Sequence, residues 1–133
     1  MDVDSLQAQI APLFPGTIGM QLREAGGERV VADLPVTEAV CTVGGMLHGG
    51  ALMSLADTLG AIGTLVHLPP GGRTTTIESS TKFLAAARLG TTVTGECTAL
   101  HRGRTTMVWQ TFVRDSGGKL LAVVTQTQLV LTP

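Results

Sequence analysis

Gly44-Gly45-Met46-Leu47-His48-Gly49-Gly50 runs straight into Ala51-Leu52-Met53-Ser54-Leu55-Ala56-Asp57, and the apolar spacing that begins there continues to His67. Leu52, Leu55, Leu59, Ile62 and Val66 recur at alternating steps of three and four, the repeat of one face of an α-helix. The spacing predicts a helix from Gly49 to about His67 with that stripe in the core. Ala51, Ala56, Gly60, Ala61 and Gly63 keep much of the remaining surface small. A glycine inside a helix costs about 1 kcal/mol against alanine, but it lets a sheet approach closely. Leu68-Pro69-Pro70-Gly71-Gly72 supplies the stop.

Everything after this helix reads as β-structure. Four strands are expected, Arg73 to Ala86, Thr91 to His101, Arg104 to Asp115 and Lys119 to Leu131, from β-branched enrichment and alternation. Met107, Trp109, Thr111 and Val113 fall on one face, and Val108, Gln110, Phe112 and Arg114 on the other. Arg88-Leu89-Gly90, Arg102-Gly103 and Ser116-Gly117-Gly118 provide the turns. Upstream, Asp4 to Ile10 reads as a short helix ended by Pro12 and Pro15. Thr17 to Arg23 and Arg29 to Pro35 read as strands around the glycine turn of residues 24–28, and Thr37 to Leu47 as a loop. The order is α-β-β-α-β-β-β-β, an α+β fold with one long helix followed by an antiparallel meander.

At 133 residues with no internal repeat or linker, the chain suits one domain spanning residues 1–133. Only 14% of residues are charged and the formal charge is −1, which leaves no broad basic field for nucleic acid. Cys41 and Cys97 form neither a metal-ligand spacing nor a disulfide framework, so free thiols in a reducing compartment are expected. The start, Met1-Asp2-Val3-Asp4-Ser5, is acidic where a signal peptide would be basic, which points to the cytoplasm. Leu47 to Leu68 is interrupted by Asp57, two histidines and several glycines, which fits a buried helix better than a membrane span.

Asp57 is the only formally charged side chain between Glu38 and Arg73. A carboxylate buried in such an apolar helix must be hydrogen-bonded, neutralised or in use. Two readings stay open on the residues alone: a carboxylate satisfied by a serine, threonine or backbone donor, or a catalytic group. His48 is likewise either a capping histidine or a functional one. His67, ahead of Pro69, reads as a helix-end histidine beside the negative terminus. Trp109 and Met107 read as sheet packing.

A helix introduced by His48-Gly49-Gly50, with an acid nine residues after the histidine and four strands behind it, resembles the hotdog-fold acyl-CoA thioesterases. It resembles in particular the phenylacetate-degradation branch within the 4-hydroxybenzoyl-CoA thioesterase superfamily. The likeness covers about Val30 to the C-terminus. It implies a long central helix wrapped by an antiparallel sheet, paired into a homodimer or a homotetramer, and an acyl-CoA substrate with no metal or redox cofactor. Nine residues at about 1.5 Å each put His48 and Asp57 roughly 13 Å apart along the axis, too far for both to touch one thioester carbon. They converge only between two chains, as in antiparallel helices related by a twofold axis.

In such a site the Gly49 amide at the positive helix end would receive the thioester oxygen, and His48 would orient it. Asp57 of the opposing chain would deprotonate a water or attack to form a mixed anhydride, and the sequence leaves both open. The resemblance puts an amide side chain six residues before the histidine, where this chain has Thr42, whose hydroxyl reaches less far. It also makes Thr76 a supporting hydroxyl. His101-Arg102-Gly103-Arg104-Thr105, a turn with two guanidinium groups, lies where the family binds the CoA nucleotide, and Arg88 of another subunit could join it. The expected activity is hydrolysis of a small aromatic or short-to-medium-chain acyl-CoA. The alternative is a non-catalytic acyl-CoA-binding module on the same fold, which Thr42 favours and Asp57 opposes. A hydratase on this fold lacks a matching acid/base motif.

Overall fold

The computed structural model of the chain describes residues 2–133. Its elements are α1 (Val3–Ile10), α2 (Phe14–Thr17), β1 (Gln21–Ala25), β2 (Arg29–Pro35), a 3-10 turn (Glu38–Val40), β3 (Cys41–Thr42), β4 (Met46–Leu47), α3 (Gly49–Leu65), β5 (Arg73–Phe83), β6 (Thr92–Arg102), β7 (Thr106–Arg114) and β8 (Leu120–Leu131). Six strands form one sheet in the order β1-β2-β6-β7-β8-β5, with every neighbour antiparallel. α3 lies across one face and touches β2, β5, β6, β7 and β8. This is the long helix wrapped by an antiparallel sheet that the resemblance implies.

The helical stripe does what its spacing dictates. Leu52, Leu55, Leu59 and Ile62 are buried, and Val66 caps the helix against the same core. On β7, Met107, Trp109, Thr111 and Val113 point under the helix while Val108, Gln110 and Phe112 are only partly buried. The small residues of α3 set the distance between layers: a Cβ on Gly60 would stand 2.4 Å from Gln126 Cδ, and one on Gly63 2.8 Å from the Trp109 ring. Two helical glycines cost about 2 kcal/mol together, whereas burying about 200 Å² of a tryptophan stabilises by about 5 kcal/mol, so close approach wins. Trp109 completes the contact by donating its ring N–H to Thr64 Oγ1 at 2.9 Å.

The N-terminal third departs from expectation. Pro15 does not end structure but sits in the first turn of α2, where a missing N–H costs nothing. Thr17 is therefore helical, and β1 starts only at Gln21, after Gly19 turns the chain at φ +92°. Residues 37–47 hold the 3-10 turn and the small β3–β4 hairpin instead of a plain loop. Downstream, α3 stops at Leu65, β5 stops at Phe83, and β7 starts at Thr106. Both cysteines are free, and burial pushes the Cys97 thiol up to about 11.

Candidate active site

Asp57 does not sit in the core. It lies on the outer side of α3, exposed in the single chain, because the buried stripe of Leu52, Leu55 and Leu59 leaves position 57 out of the core and beside the β5 edge of the sheet. The burial penalty expected for a carboxylate in a mostly apolar helix therefore does not arise within one chain. Its carboxylate is still engaged: the Thr76 hydroxyl is 2.6 Å from Oδ1, and Gln126 Nε2 lies 3.2 Å from its main-chain oxygen. Thr76 reaches it because plain alternation along β5 puts it on the same face as Thr74, ahead of an irregularity between Thr76 and Glu78. Among the described residues no lysine, arginine or histidine pairs with Asp57. A hollow of about 290 Å³ opens beside it, lined by Gly50, Met53, Ser54, Asp57 and Ser79.

The start of α3 is built by His48. Its N–H bonds Val40 O at 2.8 Å, and its ring Nδ1 accepts the Gly50 N–H at 2.8 Å. The carbonyl of His48 takes the Ala51 and Leu52 amides at 3.0 and 3.1 Å. Two consequences follow. With Nδ1 accepting, Nε2 is the ring nitrogen left to carry a hydrogen outward. The Gly49 amide, at the first helical position, has no acceptor among the described residues, leaving a donor at the positive helix end. Phe83 packs over Gly49, where an added Cβ would stand 3.1 Å from the ring.

A second hollow, of about 410 Å³, opens next to His48 between α2 and the 3-10 turn, with Phe14, Ile18, Val40 and Cys41 on its walls. Gly50 and Ser54 line both hollows, so the space beside His48 and the space beside Asp57 adjoin across the outer face of the helix. Thr42 is exposed in the β3–β4 hairpin, pairs with Met46, and its hydroxyl makes no hydrogen bond among the described residues. Of the sequence-selected groups, one chain thus joins Asp57 to Thr76 and His48 to Gly49. It does not join those pairs to each other, nine residues or about 13 Å apart on one helix.

The arginines divide the same way. Arg88 bridges to Met46 at the helix-start end, whereas His101 to Thr105 closes β6 and β7 at the other end. The eleven residues of β6 put roughly 30 Å between them. Arg102 is occupied, with Nη1 2.5 Å from His67 Nε2. His67 Nδ1 lies 2.7 Å from Gly63 O, so the ring donates through Nδ1 and accepts through Nε2. Arg104 is exposed and forms no hydrogen bond or ion pair among the described residues.

Two residues beside Asp57 escaped the sequence reading. Gln126 and Gln128 are fully buried under α3, next to Thr74 and Thr76. Their signal was available. Continuing the inward face of β8 from Ala122 and Val124 in steps of two lands on both glutamines, and inward amides on an apolar face mark a polar network.

Comparison with known proteins bears on the family and the fold. Residues 44–122 match the Thioesterase superfamily. A 1,4-dihydroxy-2-naphthoyl-CoA hydrolase of Listeria monocytogenes is 33% identical over 107 residues, covering 80% of this chain and 86% of its own. The crystal structure of thioesterase HI1161 from Haemophilus influenzae superposes with a TM-score of 0.94 at 26% identity, covering 99% of this chain and 92% of that one. The Escherichia coli PaaI protein from the phenylacetic acid degradation operon shares the fold, with a TM-score of 0.84 at 21% identity over 95% of this chain and 88% of its own.

Proposed function

The chain belongs to the thioesterase superfamily and is a thioester hydrolase, and on that premise we propose that it cleaves a small aromatic or short-to-medium-chain acyl-CoA at a site shared by two chains. The observation that carries the shared site is the division just described. The acid with its hydroxyl partner and the free helix-end amide with its histidine lie on one outward face, about 13 Å apart in a single chain. Antiparallel pairing of two such helices about a twofold axis sets each Asp57 against the other chain's His48 and Gly49.

The outward face supports pairing. β5 is a sheet edge of eleven residues carrying only Arg73, Glu78 and Lys82 as charges, with Ile77 55% and Phe83 53% exposed. Long edges of this kind are normally blunted or covered, and a second copy of the chain covers it. The same pairing brings Arg88 toward the other chain's Arg104, which makes that turn the CoA nucleotide site of the proposal. No metal or redox group enters it.

In the proposed reaction the thioester oxygen lies on the Gly49 N–H, with the His48 Nε2–H beside it, and both donate more strongly as negative charge develops. Asp57 of the other chain removes a proton from water, whose oxygen adds to the carbonyl carbon as the C–S bond later breaks. The hollow walled by Phe14, Ile18 and Val40 takes the acyl group, and its apolar lining favours an aryl or alkyl substituent. The name of the Listeria relative supports an aromatic acyl group.

A panel of acyl-CoAs, aromatic and aliphatic, read by released thiol, tests this directly. Aromatic members are expected to turn over fastest, and Asp57→Asn is expected to lower kcat on the best of them at least about 100-fold. Binding without turnover across the panel would favour the non-catalytic acyl-CoA module.

A further inference from the structure

The buried glutamines of β8 and the partly buried threonines of β5 form a chain of hydrogen bonds whose directions are fixed at every link except one hydroxyl. The main-chain oxygens of Asp57 and Leu129 only accept. Gln126 therefore turns its nitrogen to the first, at 3.2 Å, and Thr74 gives its hydroxyl hydrogen to the second, at 2.9 Å. Gln128 is locked between them. Its Oε1 accepts from Gln126 Nε2 at 3.0 Å, and its Nε2 donates to Thr74 Oγ1 at 3.1 Å. What remains is the single hydroxyl hydrogen of Thr76, with Asp57 Oδ1 and Gln128 Oε1 each 2.6 Å away.

One hydrogen cannot serve both oxygens. Given to the Asp57 carboxylate, it leaves Thr76 and Gln128 facing each other oxygen to oxygen. Given to Gln128, it leaves Thr76 facing Asp57 Oδ1, a contact that becomes a hydrogen bond only when that oxygen carries a proton. We propose that Gln128 is a positioning residue for Asp57, acting through Thr76: its fixed amide oxygen receives the Thr76 hydrogen when Asp57 takes up a proton.

The proposal rests on Asp57 as the base. A proton leaves the attacking water for Oδ1, and the water oxygen bonds to the thioester carbon. The new Asp57 O–H donates to Thr76 Oγ1, while the Thr76 O–H swings to Gln128 Oε1. When the departing thiolate sulfur collects the proton from Asp57, the Thr76 hydrogen swings back. No hydrogen is gained or lost by the network, and Gln126 and Thr74 keep the Gln128 amide from rotating. The groups facing Asp57 are Thr76 and Ser79 from β5 and Gln126 from β8, all uncharged.

A double-mutant cycle separates this from a structural role. On the fastest acyl-CoA of the panel, Gln128→Met is expected to lower kcat about tenfold with KM within about twofold, the loss of one well-placed hydrogen-bond partner. Thr76→Val is expected to lower kcat at least as much, and Thr76→Ser to restore it. The double variant Thr76→Val with Gln128→Met is expected to be little slower than Thr76→Val alone, because the short route from Gln128 to Asp57, 2.6 Å on each side, runs through the hydroxyl, whereas the other, through Gln126 Nε2, reaches Oδ1 only at 3.5 Å. Multiplying losses in the double variant, or a wild-type kcat in Gln128→Met, overturns the proposal. If Gln128→Met does not fold, Thr74→Val, which frees the Gln128 amide to rotate, replaces it in the same cycle with the same two outcomes. Asp57→Asn marks the other failure: wild-type activity there removes the base reading and this proposal with it, whereas an inactive Asp57→Asn beside an additive cycle removes only the role of Gln128.

Discussion

The two ends of α3 each carry a histidine, and the two rings are held in opposite senses. At the start, spare amides need an acceptor, so His48 accepts the Gly50 N–H through Nδ1 and turns Nε2 outward. At the end, spare carbonyls need a donor, so His67 donates through Nδ1 to Gly63 O and then accepts Arg102 on Nε2. One ring finishes with a free donor beside an unpaired amide. The other finishes with nothing to offer a ligand. A residue type is thus no guide to chemistry until the polarity of the helix end holding it is known, and that polarity follows from chain direction alone.

The sharpest way to break this comparison is to exchange both rings for asparagine. His48→Asn keeps an N-cap acceptor but withdraws the outward donor, so stability should hold within about 0.5 kcal/mol while kcat/KM falls about 100-fold. His67→Asn should do the reverse, losing about 1 kcal/mol with activity within about twofold. Thermal melts and steady-state kinetics on the two variants decide it, and equal loss of activity in both would erase the distinction between the ends.

Crowding the buried end alone gives the next effect in size. Gly63→Ala places a Cβ against the Trp109 ring, where the contact would be 2.8 Å. A cost of about 1–3 kcal/mol is expected. At about 2–4 °C per kcal/mol, the melting temperature should fall by about 2–12 °C. The folded fraction should keep its kcat, since nothing at the start of the helix has moved.

Arg102 and Arg104 sharpen the comparison further. Arg102 is already bound to His67, and Arg104 is free. Arg104→Ala should raise KM for acyl-CoA a few-fold without changing kcat and weaken its salt dependence. A truncated thioester lacking the nucleotide should be unaffected. Arg102→Ala should instead lower the melting temperature slightly. Equal loss on full-length and truncated substrates after Arg104→Ala would indicate damage to the fold or to subunit pairing.

The sequence was most legible where one physical rule acts over many residues. The three-and-four spacing of Leu52 to Ile62 and the alternation of β7 each report burial against a single partner layer, and both hold. Local chemistry read less well. Pro15 obeys the rule for a first helical turn and not the rule for a helix end, and only the fold of α2 distinguishes the two. Asp57 shows the same limit at the site. Most of the helix around it is apolar, yet a helix has an outward face, and position 57 lies on it.

Periodicity and composition by themselves determined one long helix, an antiparallel meander behind it and a lone acid nine residues after a glycine-flanked histidine, because those features are written in consecutive residues. Tertiary structure decided which groups the acid meets. Thr76 lies 19 positions from Asp57, and Gln126 lies 69 positions away. Strand order brings β5 and β8 together beneath the helix, and alternation along β5 puts the Thr76 hydroxyl on the face that meets Gln128. Contacts closed over such separations depend on register and layer distance, which no local run of residues encodes; here they are set by Gly60 and Gly63 letting the helix settle onto Gln126 and Trp109.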